Sequence, residues 1–172
     1  MIRASAPLTA LLLSVALVAC SKKPPKELPP APEGTGQEVT DNTGLDQTGA
    51  AVPGSQADFV ASVASDTIYF DTDRYNVDSA DAATLQSQAQ WLARYPGKRI
   101  TIEGHADERG TRDYNLALGE RRANAAKTYL VGLGVGAERI STISYGKERP
   151  VALGSDEASW ARNRRAVTVT IQ

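Results

Sequence analysis

Arg99-Ile100-Thr101-Ile102-Glu103-Gly104-His105 is the stretch that decides the fold. Ile100, Ile102 and Gly104 fall on one face of an alternating run, the pattern of a strand half-buried in a sheet. Before it, Ala82, Leu85, Ala89 and Leu92 recur at helical spacing. Asp78 and Ser79 offer N-cap oxygens to that helix, and Pro96-Gly97 ends it. After the strand, Leu118, Ala125, Ala126, Tyr129 and Leu133 form an apolar stripe. They mark a second helix from about Tyr114 to Leu130, closed by the glycines of Gly132-Leu133-Gly134.

Further out, Thr67-Ile68-Tyr69-Phe70 reads as a short strand stopped by Asp71-Thr72-Asp73. Ile140 to Tyr145 reads as a third strand, Asp156 to Arg162 as a short helix, and Val167-Thr168-Val169-Thr170-Ile171 as a last, alternating strand. Strands separated by helices imply an α+β domain whose mixed sheet is covered by helices on one side. The order is βαβαβ, then a short helix and a final strand.

The N-terminal third has another composition. Arg3 precedes an apolar run from Leu8 to Val18, long enough for a signal-peptide core and too short to span a bilayer as a helix. It ends in Leu17-Val18-Ala19-Cys20, which resembles the bacterial lipobox. That resemblance implies that residues 1–19 are a lipoprotein signal peptide and that Cys20 is lipidated. Several acyl chains are needed for stable anchoring, since each buried CH₂ contributes only about 0.8 kcal/mol. Ser21 follows the Cys where an Asp would mark retention at the inner membrane, so the resemblance implies the outer membrane, on its periplasmic face.

Ser21 to Gln56 is rich in Pro, Gly, Thr and Gln and poor in large apolar residues, so disorder is expected. Residues 20–57 are therefore read as the lipidated Cys and its tether, stiffest at Pro24, Pro25, Pro29, Pro30 and Pro32. As a coil, the tether spans roughly 30–36 Å. Residues 58–172 are read as the folded domain.

Charge and composition narrow the chemistry. The chain carries 19 basic and 20 acidic residues, and from Asp58 onward 15 of each. A neutral domain lacks the broad field that attracts nucleic acid, and Arg121-Arg122 and Arg164-Arg165 are too isolated to supply one. One Cys and one His build neither an internal disulfide nor a usual zinc site. Asp71-Thr72-Asp73 opens like a calcium loop, but Tyr75, Asn76 and Ala82 stand where that motif needs a ligand, Gly and Glu. Neither a metal nor a cofactor is expected, and His105 reads as a strand-end hydrogen-bonding residue.

Polar residues are densest in Gly104-His105-Ala106-Asp107-Glu108-Arg109-Gly110, where the second strand runs out into a loop. On the following helix, Arg122 lies within the apolar stripe, four residues after Leu118. A buried guanidinium needs partners, and Asp107 is the nearest carboxylate this architecture offers. Two readings follow. In one, Asp107 and Arg122 form an internal structural ion pair. In the other, both face a cleft that accepts a zwitterion, Asp107 taking an ammonium and Arg122 gripping a carboxylate with its planar fork.

These segments resemble the OmpA C-terminal-like peptidoglycan-binding family. The resemblance runs from Gly104 to Asn115 and through Leu118-Gly119-Glu120-Arg121-Arg122-Ala123. It continues in Tyr145-Gly146-Lys147-Glu148-Arg149-Pro150 and Asn163-Arg164-Arg165-Ala166-Val167, covering about Thr67 to Ile171. It implies an OmpA-like domain with four strands that binds peptidoglycan noncovalently, through the diaminopimelate of the stem peptide. Asp107 and Arg122 match the family's principal binding residues, Asp73 a further acidic contact, and Arg109 and Arg165 weaker ones. Thr72 stands where relatives often carry an aromatic residue. With the lipobox and tether, the resemblance implies a non-enzymatic anchor of the outer membrane to the wall. It also implies a TolB-like periplasmic partner, other Tol components, and a part in membrane integrity and cell division. A peptidoglycan hydrolase is the alternative.

Overall fold

The computed structural model describes residues 44, 45 and 48–171. The leader, Cys20 and most of the tether lie outside the described residues.

The fold begins before Asp58. Helix α1, Gln56–Ser62, opens with the Ser55 hydroxyl accepting from the Asp58 amide at 3.1 Å. Asp58 Oδ2 in turn accepts from the Gly54 amide and from Trp91 Nε1, at 2.9 and 3.0 Å. Phe59, fully buried, meets the Trp91 ring edge-on at 5.0 Å. Ser55 and Gln56, assigned to the tether by composition, therefore belong to the fold. A serine cap followed by an aromatic anchor outweighs the polarity of the flanking residues.

The remaining elements are β1 (Thr67–Tyr69), α2 (Ser79–Arg94), β2 (Arg99–His105), α3 (Arg112–Gly132), β3 (Ile140–Gly146), α4 (Glu157–Asn163) and β4 (Arg165–Ile171). The four strands form one mixed sheet in the order β1-β4-β2-β3. Strand β4 runs antiparallel to both neighbours, and β2 and β3 are parallel. The parallel pair requires a crossover, which α3 supplies across the sheet.

Ile68, Ile100, Ile102 and Ala166 face Leu85, Leu92, Ala123, Ala126 and Leu130 in the core between sheet and helices. In β4 the inward positions are Ala166 and Thr168, both 2 % exposed, whereas Val167 and Val169 are only half-buried on the other side. The buried Thr168 hydroxyl donates to Gln88 Oε1 at 2.9 Å, and Gln88 Nε2 donates to the Ser65 carbonyl at 2.8 Å. A satisfied polar pair thus occupies the place that an apolar one usually takes.

Gly104 and Gly119 set the distance between β2 and α3. A Cβ on Gly104 would overlap the Gly119 carbonyl, and one on Gly119 would collide with the Ser144 hydroxyl. The absence of both lets the helix backbone rest directly on the strand. Arg122, one turn further along α3, is thereby brought beside the end of β2.

Candidate ligand-binding site

Where β2 ends, Ala106 stays tied to the sheet by its amide, which donates to the Gly146 carbonyl at 2.8 Å. The chain then turns through Asp107, Glu108, Arg109 and Gly110, whose φ of +88° suits glycine. Lys147 Nζ donates to the Glu108 and Gly110 carbonyls, and Asn115 Nδ2 donates to the Arg109 carbonyl at 2.8 Å. The loop is held from both sides. Thr111 then caps α3.

This loop, the segment after β1 and the first turns of α3 enclose a recess of about 270 Å³. Its walls bring together Thr72, Asp73, Asp107, Arg109, Tyr114 and Arg122. Four of the five binding residues expected from sequence are among them: Asp73, Asp107, Arg109 and Arg122. Asp73 has a φ of 56°, uncommon for a residue with a side chain, and its carboxylate accepts from the Tyr114 hydroxyl at 3.3 Å.

Arg165 is elsewhere. It pairs with Tyr69 across the sheet, one residue out of phase with the inward Ile68–Ala166 pair. Its guanidinium donates to the Asn163 and Arg149 carbonyls, and it does not line the recess. The neighbouring Arg164 is the one that reaches the site, with Nη1 3.5 Å from Asp107 Oδ2. Its Nε donates to the Phe70 carbonyl and its Nη2 to Glu157, at 2.9 and 2.8 Å. The Arg-Arg pair was visible in sequence, but which of the two reaches Asp107 depends on where α4 ends.

Neither of the two sequence readings of Asp107 and Arg122 describes them fully. Arg122 is completely buried, and its partners are three backbone carbonyls. Nε donates to Arg74 at 2.9 Å, Nη1 to His105 at 2.8 Å and Nη2 to Asp71 at 3.1 Å. The guanidinium thus clips the segment after β1 onto the end of β2, with two of its five N–H groups left over. Burial lowers its pKa to about 10, against the raising influence of Asp107, so it stays charged at neutral pH.

Asp107 is held by other arginines. Arg109 Nη2 donates to its Oδ2 at 2.6 Å, while Arg109 Nε and the Arg109 amide donate to its Oδ1 at 3.2 and 3.1 Å. Burial opposes ionisation of this carboxyl, but the hydrogen bonds and charge of Arg109, with help from Arg164, prevail and hold it below the ordinary Asp range. Arg109 itself lies over the Trp160 ring at 4.2 Å, and Trp160 Nε1 donates to Glu108 at 2.9 Å. Trp160 carried no sequence signal beyond its place in α4, and Arg164 was marked only as half of an isolated basic pair within a family-matching segment.

His105 contributes its carbonyl rather than its ring. Both ring nitrogens are buried without a hydrogen-bond partner among the described residues. The expectation of a hydrogen-bonding imidazole is corrected accordingly. Burial, then the charges of Arg165 and Arg149, push its pKa down to about 4, and the ring is neutral. Among the described residues, no group of three His, Cys, Asp or Glu could hold a metal ion, and no helix is long and apolar enough to cross a membrane.

A family model described as the OmpA family matches residues 69–164, a span that contains the whole recess. The chain belongs to the OmpA family. The resemblance read from its motifs is borne out, and so is the mixed four-stranded fold. A peptidoglycan-associated lipoprotein of Rhizobium meliloti is 54% identical over 93% of this chain and 84% of its own length. One from Agrobacterium fabrum is 51% identical over the same shares. The crystal structure of the peptidoglycan-associated lipoprotein from Burkholderia pseudomallei matches with a TM-score of 0.61 at 48% identity. That match covers 70% of this OmpA-family chain and 97% of the solved one.

Proposed function

We propose that this protein is a lipid-anchored envelope protein that holds the peptidoglycan wall without cutting it. The observation that carries the reading is the recess at the end of β2, where Asp107 and Asp73 stand among Arg109, Arg122 and Arg164. Opposite charges a few ångströms apart, backed by low-dielectric core, suit a small zwitterion better than any single-charge ligand. The free end of diaminopimelate in a wall stem peptide is such a group, an ammonium and a carboxylate on one carbon. Asp107 receives the ammonium. Arg109 faces the carboxylate, Arg122 draws it with its charge from beneath, and Asp73 guards the rim. Arg165, on the other face of the sheet, supports the fold and does not contact the wall.

The names of the relatives support wall association and lipidation, and Cys20 is the residue to carry the lipid. With Cys20 in the outer membrane, the chain between Cys20 and the start of the fold at Ser55 forms the leash, and the folded domain meets the wall on the periplasmic side. Work with a TolB-like protein and other Tol components at division belongs to the same proposal.

Sacculi that differ at one stem-peptide position test it. Walls with lysine in place of diaminopimelate lack the terminal carboxylate and present an ammonium alone. The expected result is co-sedimentation with diaminopimelate sacculi, little with lysine-type sacculi, and no soluble fragments. Equal binding to both walls refutes the ligand, and release of soluble muropeptides would establish a hydrolase instead.

A further inference from the structure

Arg109 already occupies the place on Asp107 that a ligand ammonium would take. Arg109 covers both oxygens of Asp107 with three hydrogen bonds of 2.6 to 3.2 Å. A ligand ammonium cannot approach that carboxylate squarely until the guanidinium leaves. The other two arginines are not free to compensate. Arg122 has no exposed surface and three carbonyl partners, and Arg164 is tied to Phe70 and Glu157. Only Arg109 is both charged and partly open, its side chain being 38% exposed.

The surroundings of Arg109 suit a side chain with two resting places. Its guanidinium lies over Trp160 at 4.2 Å, with the Thr72 hydroxyl at 3.3 Å and Glu157 at 3.9 Å. Stacking on an aromatic face tolerates in-plane displacement, so it guides the group without locking it. Charge balance points the same way. Arg109, Arg122 and Arg164 are matched by Asp107, Asp73 and Glu157, three cations to three anions. Adding an ammonium alone tips that balance, whereas adding a carboxylate with it leaves the sum unchanged.

We infer that binding is an exchange of ion pairs, in which Arg109 yields Asp107 to the ligand's ammonium and closes on the ligand's own carboxylate. The inference rests on the zwitterionic ligand proposed above and adds a gate to it. Arg109 is the specificity-determining residue, because a ligand without the free carboxylate displaces it and offers nothing in return.

The test titrates the full chain with a soluble muropeptide ending in diaminopimelate, and with the same muropeptide amidated at the terminal carboxylate. Trp160 fluorescence reports Arg109 directly, with Trp160→Phe to isolate the signal from Trp91. For wild type, the acid probe is expected to change Trp160 emission at saturation, and the amidated probe to bind at least about ten-fold more weakly. In Arg109→Met, the amidated probe is expected to bind several-fold more tightly than it does to wild type. The gap between the probes then narrows. A Trp160 signal unmoved at saturation overturns the exchange, and so does an amidated-probe affinity that fails to rise in Arg109→Met. If wild type binds neither probe, the diaminopimelate reading falls first and the exchange falls with it.

Discussion

Replacing Arg122 by Met keeps most of the buried aliphatic volume and deletes the guanidinium that joins three carbonyls. Hydrogen bonds from a charged donor contribute roughly 1.5–3 kcal/mol each, and the three need not add. Against them stands the burial of the charge, which brings the pKa to about 10 and costs the charged form roughly 3 kcal/mol. The His105 carbonyl is left dry, while those of Asp71 and Arg74, in exposed turns, are open to water. A net loss of about 3–4 kcal/mol follows, close to the usual cost of breaking a buried charged network. Urea unfolding followed by circular dichroism reads it as a lower midpoint at unchanged slope. Arg122→Lys, a point charge able to reach one carbonyl well, is expected to recover less than half. A loss under about 1 kcal/mol in Arg122→Met, with amide exchange unchanged in residues 71–77, would refute the clip.

Two further expectations concern stability. His105 is neutral in the folded protein down to about pH 4, while an unfolded chain protonates it near its ordinary 6.5. The unfolded state therefore binds more protons between those values, and stability falls as pH drops from 6.5 to 4, then levels off below. Urea midpoints across that window should show His105→Phe losing about 3 kcal/mol less than wild type, and matching slopes would contradict the burial argument. Gly104→Ala places a methyl group against the Gly119 carbonyl, where backbone cannot give way, and should cost about 3 kcal/mol or more. Gly97→Ala, with nothing within 4 Å, should change stability by about 0.5 kcal/mol or less in the same denaturation assay.

Elements set by local rules were legible from the chain. Arg99–His105 alternates, Asp78 caps α2 and Asp156 caps α4, and each is a contest between a residue and its immediate neighbours. The reading ran short where the decision is tertiary. Strand β4 turns Ala166 and Thr168 inward because Gln88, eighty residues earlier, waits to accept the threonine hydroxyl. By alternation alone, Val167 and Val169 make the better core face. Gln56 looks like tether until Phe59 is seen against Trp91.

The candidate site divides in the same way. Asp107 and Arg122 stood out as an acidic strand-end and a charge in an apolar stripe, and the recess holds both. Their partners could not be read, because backbone carbonyls carry no sequence signal and Arg122 is satisfied by three of them. Arg164 and Arg165 are adjacent, identical in type and both buried, so only the end of α4 decides which of them reaches Asp107. Arg109 was legible as a charge near Asp107, but its stacking on Trp160 depends on α4 folding back over the loop.

The most direct measurement is calorimetric titration of the protein and of Asp107→Asn with a soluble diaminopimelate muropeptide. The substitution keeps the size of the side chain and removes the charge that an ammonium needs. The account expects affinity to fall about ten- to a hundred-fold while circular dichroism shows the fold retained. Equal affinity in the two proteins would mean that the ligand's ammonium does not sit on Asp107, and the recess would have to be read another way.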